Sequence, residues 1–406
     1  MAVPSASAQR IGVGEIERAA RTISGAVRTT PVLHAGEVSR RFGGTVSLKA
    51  ENLQRTGSFK VRGANNLLAA LAPEELARGV VAASAGNHAQ AISLAARERG
   101  AHAVIYMPDD APLAKIDAVR RYGGEVRLVE GLVERAFDEA HACAEREGVI
   151  FAHAFDDPVV IAGQGTIGLE IAEQAPAAKL VVVAIGGGAL ATGIAIAVKD
   201  RLPGARVVGV QSDRCAPYAR GERRLPTICD GIAVKRPGRI TRPLVDEWID
   251  EVVTVSDDDV AQAMVLLLER SKLVVEGAGA ASVAALLAGR IEPPDDGETV
   301  AVLSGGNVDA SRLVECIRLG ENASGRRLVF STVVPDRPGA LASLVAAVAE
   351  ERANVLDVAH IREGIDLHVR ETEIRLVLQT DGPEHGERIL AAVRDAGFSA
   401  HREGAP

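Results

Sequence analysis

Lys60 is the residue whose surroundings in the sequence most clearly indicate chemistry. It follows a turn of small residues, Gly57 and Ser58, and stands at the start of an apolar-periodic helix. A lysine held near a helix N-terminus in low-dielectric surroundings has its ammonium form disfavoured, so its neutral amine can form a Schiff base with a carbonyl group. The alternative is a solvated surface charge, since Arg62 lies close by. Evidence from other parts of the chain is needed to distinguish a Schiff-base lysine from a surface charge.

Three glycine-bearing turns follow apolar strands. The first lies directly after the strand Val80–Ala83, opens a helix, and comprises Ser84, Ala85, Gly86, Asn87 and His88. Small residues there let backbone N–H groups converge on a carboxylate or phosphate, helped by the helix dipole. An ordinary turn, capped by Ser84 or Asn87, fits the pattern too. We expect the His88 side chain to be structural or capping, because the sequence names no partner for it.

The second turn follows the apolar strand Leu180–Ile185 and comprises Gly186, Gly187, Gly188, Ala189 and Leu190. Three consecutive glycines are entropically costly, so the turn favours close approach of the backbone to a ligand such as a phosphate. A dinucleotide-binding fingerprint is an alternative, because Gly186, Gly188 and Ala191 have its spacing. Asp213, after the next strand, would then bind a ribose.

The third turn, Ser304-Gly305-Gly306-Asn307, follows the strand Thr299–Leu303. The carboxyl end of a strand in an open α/β sheet is where ligands bind, so the Ser304 hydroxyl could contact a ring nitrogen. Ser304 could equally cap a helix starting near Asp309. Glu276, upstream of small residues, either lines the same cavity or is the N-terminal carboxylate of the following helix.

These turns require a scaffold in which strands and helices alternate, which predicts parallel sheets with right-handed crossovers. The remaining predicted strands are Ala103–Met107, Val126–Val129 and Val207–Gln211. The predicted helices include Ala89–Arg99, Pro112–Tyr122, Val133–Glu147 and Pro158–Gln174.

A polar, glycine-flanked segment at residues 321–326 predicts a linker between residues 1–320 and a smaller unit, 327–406. The predicted order of that unit is βαββαβ, which is typical of ferredoxin-like domains. Its elements are Leu328–Val334, Ala340–Glu350, Asn354–Ile361, Glu371–Leu378, Glu384–Ala396 and a short strand near Phe398–His401.

Bulk composition is typical of an α/β enzyme. The chain has 406 residues, 47% of them hydrophobic and 3% aromatic, and a net charge of −8. The negative charge argues against nucleic acid or an anionic membrane as the main partner. No apolar run approaches a membrane span, the start resembles no signal peptide, and the four cysteines form no CxxC pair. We therefore expect a cytoplasmic protein with reduced thiols.

Four motifs together resemble the pyridoxal-phosphate-dependent threonine/serine dehydratases of fold type II, over roughly residues 10 to 320. They are residues 57–64 around Lys60, 84–90, Ala162-Gly163-Gln164-Gly165-Thr166 and 304–307. The resemblance implies two parallel-sheet α/β subdomains, the smaller at about residues 55–160. The tail resembles an ACT regulatory domain, with Asp336-Arg337-Pro338-Gly339-Ala340-Leu341 as its strand-to-helix turn. The combination resembles threonine ammonia-lyases of medium length.

The resemblance also implies roles for individual residues. Lys60 would bond to pyridoxal 5′-phosphate and later remove the substrate's α-proton. Cofactor contacts would come from Phe59, Asn87, Gly186, Gly187, Gly188, Ala189, Leu190, Glu276 and Ser304. The substrate carboxylate would bind at Ser84, Ala85, Gly86, Asn87 and His88. An amino-acid effector such as isoleucine or valine would bind between subunits of a dimer or tetramer, near Asp336, Gly339, Ala340, Leu341 and Asn354. The tail could otherwise only stabilise the oligomer.

Three departures refine these expectations. Ala189 replaces the usual fourth glycine of the phosphate loop, which is acceptable if its φ is negative. Ala85 replaces the second serine of the related serine racemases and cannot transfer a proton, so racemisation should be slow. The segment after Val210 lacks the acidic pair that binds a divalent cation in racemases, so we predict no metal there.

Alternatives remain open at this stage. The substrate could be threonine, serine or another β-hydroxy amino acid such as 3-hydroxyaspartate, because one methyl group provides only about 1–3 kcal/mol of discrimination. The sequence is also compatible with a racemase, a nicotinamide-dependent oxidoreductase or a catalytically weak amino-acid sensor.

Overall fold

The computed structural model describes residues 11–221, 225–362 and 367–403. The chain forms two compact units, Met1–Leu313 and Val314–Pro406. Among the described helices, none combines the length and the apolar character that a bilayer crossing requires.

The first unit is an α/β structure. Its strands are β1 (Val32–His34), β2 (Val46–Ala50), β3 (Val80–Ala83), β4 (Ala103–Pro108), β5 (Glu125–Val129), β6 (Ile150–Phe151), β7 (Ala178–Ala184), β8 (Arg206–Ser212), β9 (Glu251–Val255) and β10 (Glu298–Leu303). Its helices are α1 (Val13–Ile23), α2 (Gly36–Phe42), α3 (Lys60–Ala69), α4 (Pro73–Arg78), α5 (Asn87–Glu98), α6 (Leu113–Arg121), α7 (Val133–Glu147), α8 (Pro158–Gln174), α9 (Ala189–Arg201), α10 (Thr241–Trp248), α11 (Asp257–Leu266) and α12 (Gly277–Leu287).

The strands of this unit form two sheets, each the centre of a subdomain. The larger sheet has the order β1-β2-β10-β7-β8-β9 and the smaller the order β5-β4-β3-β6. All pairs are parallel except β1 with β2, so the prediction of parallel sheets is confirmed for all but this edge. Strands β3 and β4, and residues 180–184 of β7, are apolar because helices cover both faces of their sheets, which is why the sequence identified them.

The predicted elements are observed with small changes at their ends. Helices α7 and α8 have the predicted bounds, whereas β7 begins two residues before the predicted Leu180. Strands β1, β2, β6 and β9 were not predicted from the sequence. Strand β2 is fully buried although it contains Ser47 and Lys49, so its residues do not show the apolar run expected of a central strand.

Helix α8 explains the 162–166 motif. Asp157 caps the helix by accepting hydrogen bonds from the backbone of Val159 and Val160. An ideal Cβ on Gly163 would lie 2.7 Å from Cα of Gly63 in α3. The small residues therefore let α8 pack closely against the helix that begins at Lys60.

The second unit contains a four-stranded antiparallel sheet, ordered β12-β13-β11-β14. Its elements are β11 (Arg327–Pro335), α14 (Ala340–Glu350), β12 (Asn354–Ile361), β13 (Glu371–Gln379), α15 (Pro383–Asp395) and β14 (His401–Arg402). Phe330, Leu344, Leu376 and Ile389 are fully buried between the sheet and its two helices. The βαββαβ order predicted from the sequence is observed.

The boundary between the units lies within a helix. Helix α13 (Ala310–Ala323) contains the division between Leu313 and Val314 and extends into the segment predicted as a linker. The first three of residues 321–326 therefore belong to α13. The helix ends two residues before Gly325, whose φ of +68° favours glycine.

Candidate active site

One cavity of about 770 Å³ lies at the carboxyl ends of β3, β7 and β10. The turns after these strands line it, as open α/β sheets lead one to expect. Every residue predicted to bind cofactor or substrate contributes to its wall: Phe59, Lys60, Ser84, Ala85, Gly86, Asn87, His88, Gly186, Gly187, Gly188, Ala189, Leu190, Glu276 and Ser304. The cavity receives residues from both subdomains.

Lys60 is the first residue of α3 and lies half-buried in the cavity wall. Its Nζ donates a hydrogen bond to the carbonyl oxygen of Ala154 at 2.8 Å. Burial lowers the pKa of Lys60 to about 8, and the negative charge of Glu276 partly opposes this shift. About a tenth of the Lys60 side chains therefore carry a neutral amine at pH 7, far more than for a solvated lysine.

The third glycine turn is joined to the segment before Lys60 by backbone hydrogen bonds. The amide of Phe59 donates to the carbonyl of Ser304 at 3.1 Å, and that of Gly306 donates to Gly57 at 2.8 Å. The buried Ser304 hydroxyl donates to the carbonyl of Ala278. Because α13 begins only at Ala310, Ser304 does not cap it, and that alternative is wrong.

Asn87, Glu276 and Asn307 form a polar network in the cavity. The Asn87 amide donates to Oε1 of Glu276 at 2.7 Å, and the Asn307 amide donates to Oδ1 of Asn87 at 2.7 Å. Glu276 is the N-cap of α12, but its side chain does not cap the helix. Burial, followed by repulsion from Asp230, raises the pKa of Glu276 to about 7. Asn307 was not predicted as a site residue, although it belongs to the 304–307 motif.

The second glycine turn places the N-terminus of α9 at the cavity. Gly188 is the N-cap with a φ of +104°, and no side chain caps the helix. The first N–H groups of a helix have no intrahelical acceptor, so this end can bind an anion. An ideal Cβ on Gly187 would lie 2.1 Å from Cγ of Phe155. Ala189 is helical and has no positive φ, so its methyl group fits the loop.

The 84–88 turn opens α5 in the smaller subdomain. The Gly86 amide donates to the Ser84 hydroxyl at 3.1 Å, and Gly86 is the helix N-cap. His88 is buried, and its Nε2 contacts the carbonyl oxygen of Ala152 at 2.7 Å. Burial lowers the pKa of His88 to about 3, so its ring stays neutral and structural, as expected from the sequence.

The segment 152–155, after β6, connects the parts of the site and was not predicted from the sequence. The Ala152 carbonyl binds His88, the Ala154 carbonyl binds Lys60, and the Phe155 ring lies over Gly187. Two of these contacts use backbone oxygens, which any residue type would supply. No pattern in the sequence could therefore have identified them.

Behind α3, a buried ionic network holds the helix. Arg62 contacts Glu51 at 2.8 Å and Glu170 at 2.6 Å, and Lys49 contacts Glu170 at 2.5 Å. The Arg62 side chain is only 1% exposed. Arg62, whose proximity suggested a solvated surface around Lys60, is thus a buried residue that holds α3 in place. The surface-charge alternative for Lys60 is wrong.

The end of β8 does not assemble a dinucleotide site with the glycine turn. Asp213, the residue considered as a ribose ligand, does not line the cavity. Gln211 donates to the Ile185 carbonyl at 3.3 Å and accepts from the Tyr218 amide at 3.0 Å. Within the described residues, no group of three His, Cys, Asp or Glu side chains could hold a metal ion.

The residues predicted to bind an effector lie in the second unit and do not meet in one chain. Asp336 is exposed and paired with Arg362 at 3.0 Å, while Gly339 is the N-cap of α14 with a φ of +92°. Ala340 and Leu341 pack on the core of that unit. Asn354 pairs with Gln379 at one end of β13. The turn before α14 follows Pro335, which pairs with Glu371 at the other end of β13. The two parts are therefore separated by the length of β13, roughly 27 Å.

Comparisons with known proteins agree with this geometry. The family described as "Pyridoxal-phosphate dependent enzyme" matches residues 23–305. An L-threonine ammonia-lyase of Thermotoga maritima is 44% identical over 397 residues, covering 96% of this chain and 98% of that protein.

Solved structures resemble the larger part of the chain. Maize serine racemase has a TM-score of 0.71 and 32% identity, covering 76% of this chain and 97% of that one. Processed threonine deaminase isoform 2 of Solanum lycopersicum has a TM-score of 0.70 and 34% identity, covering 76% and 89%. These matches favour pyridoxal phosphate over a dinucleotide at the glycine turn. The chain belongs to the family of pyridoxal-phosphate-dependent enzymes.

Proposed function

We propose that this protein catalyses the pyridoxal-phosphate-dependent β-elimination of L-threonine, and of L-serine, to a 2-oxo acid and ammonia. The proposal rests on the observation that Lys60, Ser304 and the N-terminus of α9 line the same cavity. The similarity to an L-threonine ammonia-lyase along nearly the whole chain supports threonine as the substrate.

The cavity fits the cofactor. The uncapped N-terminus of α9 offers N–H groups to a phosphate. Side chains at Gly186 and Gly187 would collide with Ile232 and Phe155, so the backbone of this loop is bare and can approach a ligand closely. Ser304 would contact the ring nitrogen, Asn87 the ring oxygen, and Lys60 the aldehyde carbon. When bound, pyridoxal phosphate supplies an electron sink that acidifies the α-proton of an amino acid.

Lys60 is the group that accepts the α-proton. With a pKa of about 8, its amine is partly neutral near neutral pH and can take up a proton at Nζ. The Ala154 carbonyl, 2.8 Å from Nζ, holds and orients the resulting ammonium group. The turn at residues 84–88 binds the substrate carboxylate through its backbone N–H groups.

Ser304 and Ala85 both favour elimination. A neutral hydroxyl at Ser304 does not hold a proton on the ring nitrogen as a carboxylate would. Electron withdrawal is therefore moderate, which favours reactions in which the β-hydroxyl leaves as the α-proton is removed. Ala85 has no exchangeable proton to deliver to the face opposite Lys60, which argues against a racemase.

The test is Lys60→Ala in the purified protein, with Lys199→Ala as the matched control, because Lys199 is paired with Asp250 outside the cavity. We expect Lys60→Ala to lose covalent, borohydride-reducible cofactor and to lower 2-oxo acid formation from threonine by about 10³-fold or more. Retention of turnover would contradict the role of Lys60. A wild-type protein that binds cofactor yet releases no 2-oxo acid from threonine or serine would point instead to a sensor.

We further propose that the second unit is an ACT regulatory domain and that its effector is an amino acid such as isoleucine or valine. Support comes from the βαββαβ order and from the glycine-capped turn before α14. Because this turn and Asn354 lie at opposite ends of β13, a site that uses both must combine two copies of the chain. This geometry supports a homo-oligomer.

The effector proposal is tested by Asp336→Ala and Asn354→Ala in the full chain. Each variant should lose the change in threonine turnover caused by the effector while keeping its turnover without effector. Asp395→Ala, at the exposed end of α15, is the control. If both variants respond to isoleucine and valine as the wild type does, the tail only stabilises the oligomer.

A further inference from the structure

An ion pair joins the two subdomains at the mouth of the cavity. Lys115 on α6 belongs to the smaller subdomain, and Asp230 opens the short 3₁₀ turn Asp230–Ile232 of the larger one. Lys115 Nζ lies 3.1 Å from Oδ2 of Asp230, and both residues line the cavity. The catalytic roles proposed above use neither of them.

The same 3₁₀ turn is packed against the predicted cofactor contacts. An ideal Cβ on Gly186 would lie 3.0 Å from Cα of Ile232, the last residue of the turn. Gly231 also approaches Glu276, since its ideal Cβ would lie 3.7 Å from Oε1. The backbone around the turn therefore covers the phosphate loop on one side and Glu276 on the other.

The ion pair also acts on Glu276 through its charges. Repulsion from Asp230 contributes to the raised pKa of Glu276, while Lys115 and Lys60 oppose it. The neutral Asn87 amide is the hydrogen-bond donor to the same carboxylate. Hence the turn is linked to the site by packing and by electrostatics.

Solvent reaches both side chains of the Lys115–Asp230 ion pair, so the pair can break and re-form. Side-chain exposure is 23% for Lys115 and 64% for Asp230. Exposed ion pairs are individually weak and are screened by salt, so this contact can open and close without disturbing the fold. The contact of the turn with Gly186 lies entirely within the larger subdomain.

We propose that Lys115 and Asp230 are positioning residues whose ion pair holds the turn Asp230–Ile232 over the phosphate loop and Glu276. Cofactor retention then depends on the position of the smaller subdomain. The proposal extends the cofactor site assigned above and does not depend on which amino acid is the substrate.

The experiment measures cofactor release from the holoenzyme after dilution, followed by the loss of the cofactor's visible absorbance without substrate. Lys115→Met and Asp230→Asn should each accelerate release by about two- to five-fold. The charge-swapped variant Lys115→Asp/Asp230→Lys should restore the wild-type rate. Raising salt from about 0.05 to about 0.5 M should accelerate release from the wild type and the swapped variant more than from either single variant.

Lys199→Met is the matched control, because Lys199 is 25% exposed and paired with Asp250 at 2.7 Å outside the cavity. The proposal is overturned if both single variants release cofactor at the wild-type rate, if the swapped variant is as fast as they are, or if Lys199→Met has the same effect. Absence of threonine turnover would affect only the proposed reaction, since release is measured without substrate.

Discussion

Lys60 should destabilise the cofactor-free protein, and replacing it should reveal by how much. Burial lowers the pKa of Lys60 from 10.5 to about 8, which corresponds to about 3 kcal/mol of unfavourable free energy when the amine is protonated. Lys60→Met removes that cost and also the hydrogen bond to Ala154, which contributes about 1 kcal/mol. We therefore expect the variant to be more stable by about 2 kcal/mol at pH 7.

The pH dependence has a defined sign. Between pH 8 and 10.5 the unfolded chain keeps the Lys60 proton while the folded protein loses it, so wild-type stability rises with pH in this window. The advantage of Lys60→Met is thus largest below pH 8. It should shrink by about 2 kcal/mol between about pH 7 and pH 9.5.

Urea unfolding of the cofactor-free proteins at both pH values measures the difference. Lys199→Met, which replaces a partly exposed lysine outside the cavity, should show no comparable gain. A Lys60→Met protein that is no more stable than the wild type at pH 7 would refute the reasoning. So would a gain that does not change with pH, because it would come from packing and not from the amine.

Three further changes test other parts of the site. Gly187→Ala should weaken cofactor binding by about tenfold or more, because its methyl group would lie 2.1 Å from Phe155; Gly14→Ala, with open space around it, is the control in a cofactor titration. Arg62→Met should lower the free energy of unfolding by about 3–5 kcal/mol in urea titrations, since it leaves buried carboxylates without their partner. Finally, the pKa of His88 is about 3 in the folded protein and 6.5 in the unfolded chain. Protonation of His88 in the unfolded chain therefore lowers the stability of the protein as pH falls from 6.5 to 3. A His88→Gln protein should lose less stability over this pH range in thermal melts.

Much of the scaffold was predictable because local patterns and tertiary environment agree. Strand β3 and most of β7 and β10 (residues 180–184 and 300–303) are apolar and buried on both faces, so composition alone identified them. Strand β2 was missed because its Lys49 is neutralised by Glu170, a partner distant in sequence. The linker predicted at residues 321–326 overlaps the end of α13, because a polar, glycine-flanked segment is compatible with either a helix end or a linker.

The residues of the candidate site also divide into those that the sequence identifies and those that it does not. Lys60, Asn87 and Ser304 belong to motifs whose residue types are informative, so they could be chosen from the sequence. Ala154, Asn307 and Lys115 could not be chosen from the sequence. Their contributions depend on the direction of a carbonyl group, on a side-chain partner and on a position across the cavity, respectively.

The sequence by itself determined which groups are available: one lysine at a helix start, three glycine turns after strands, a serine and not a carboxylate for the ring nitrogen, and an alanine at position 85. Only the tertiary structure decided that these groups line one cavity and that Arg62 is buried while Lys60 lies in the cavity wall. It also separated the turn before α14 from Asn354 by the length of a strand. The physical reason is that a pKa, a desolvated charge and a shared site depend on distances between residues far apart in the chain, whereas a sequence pattern reports on neighbours.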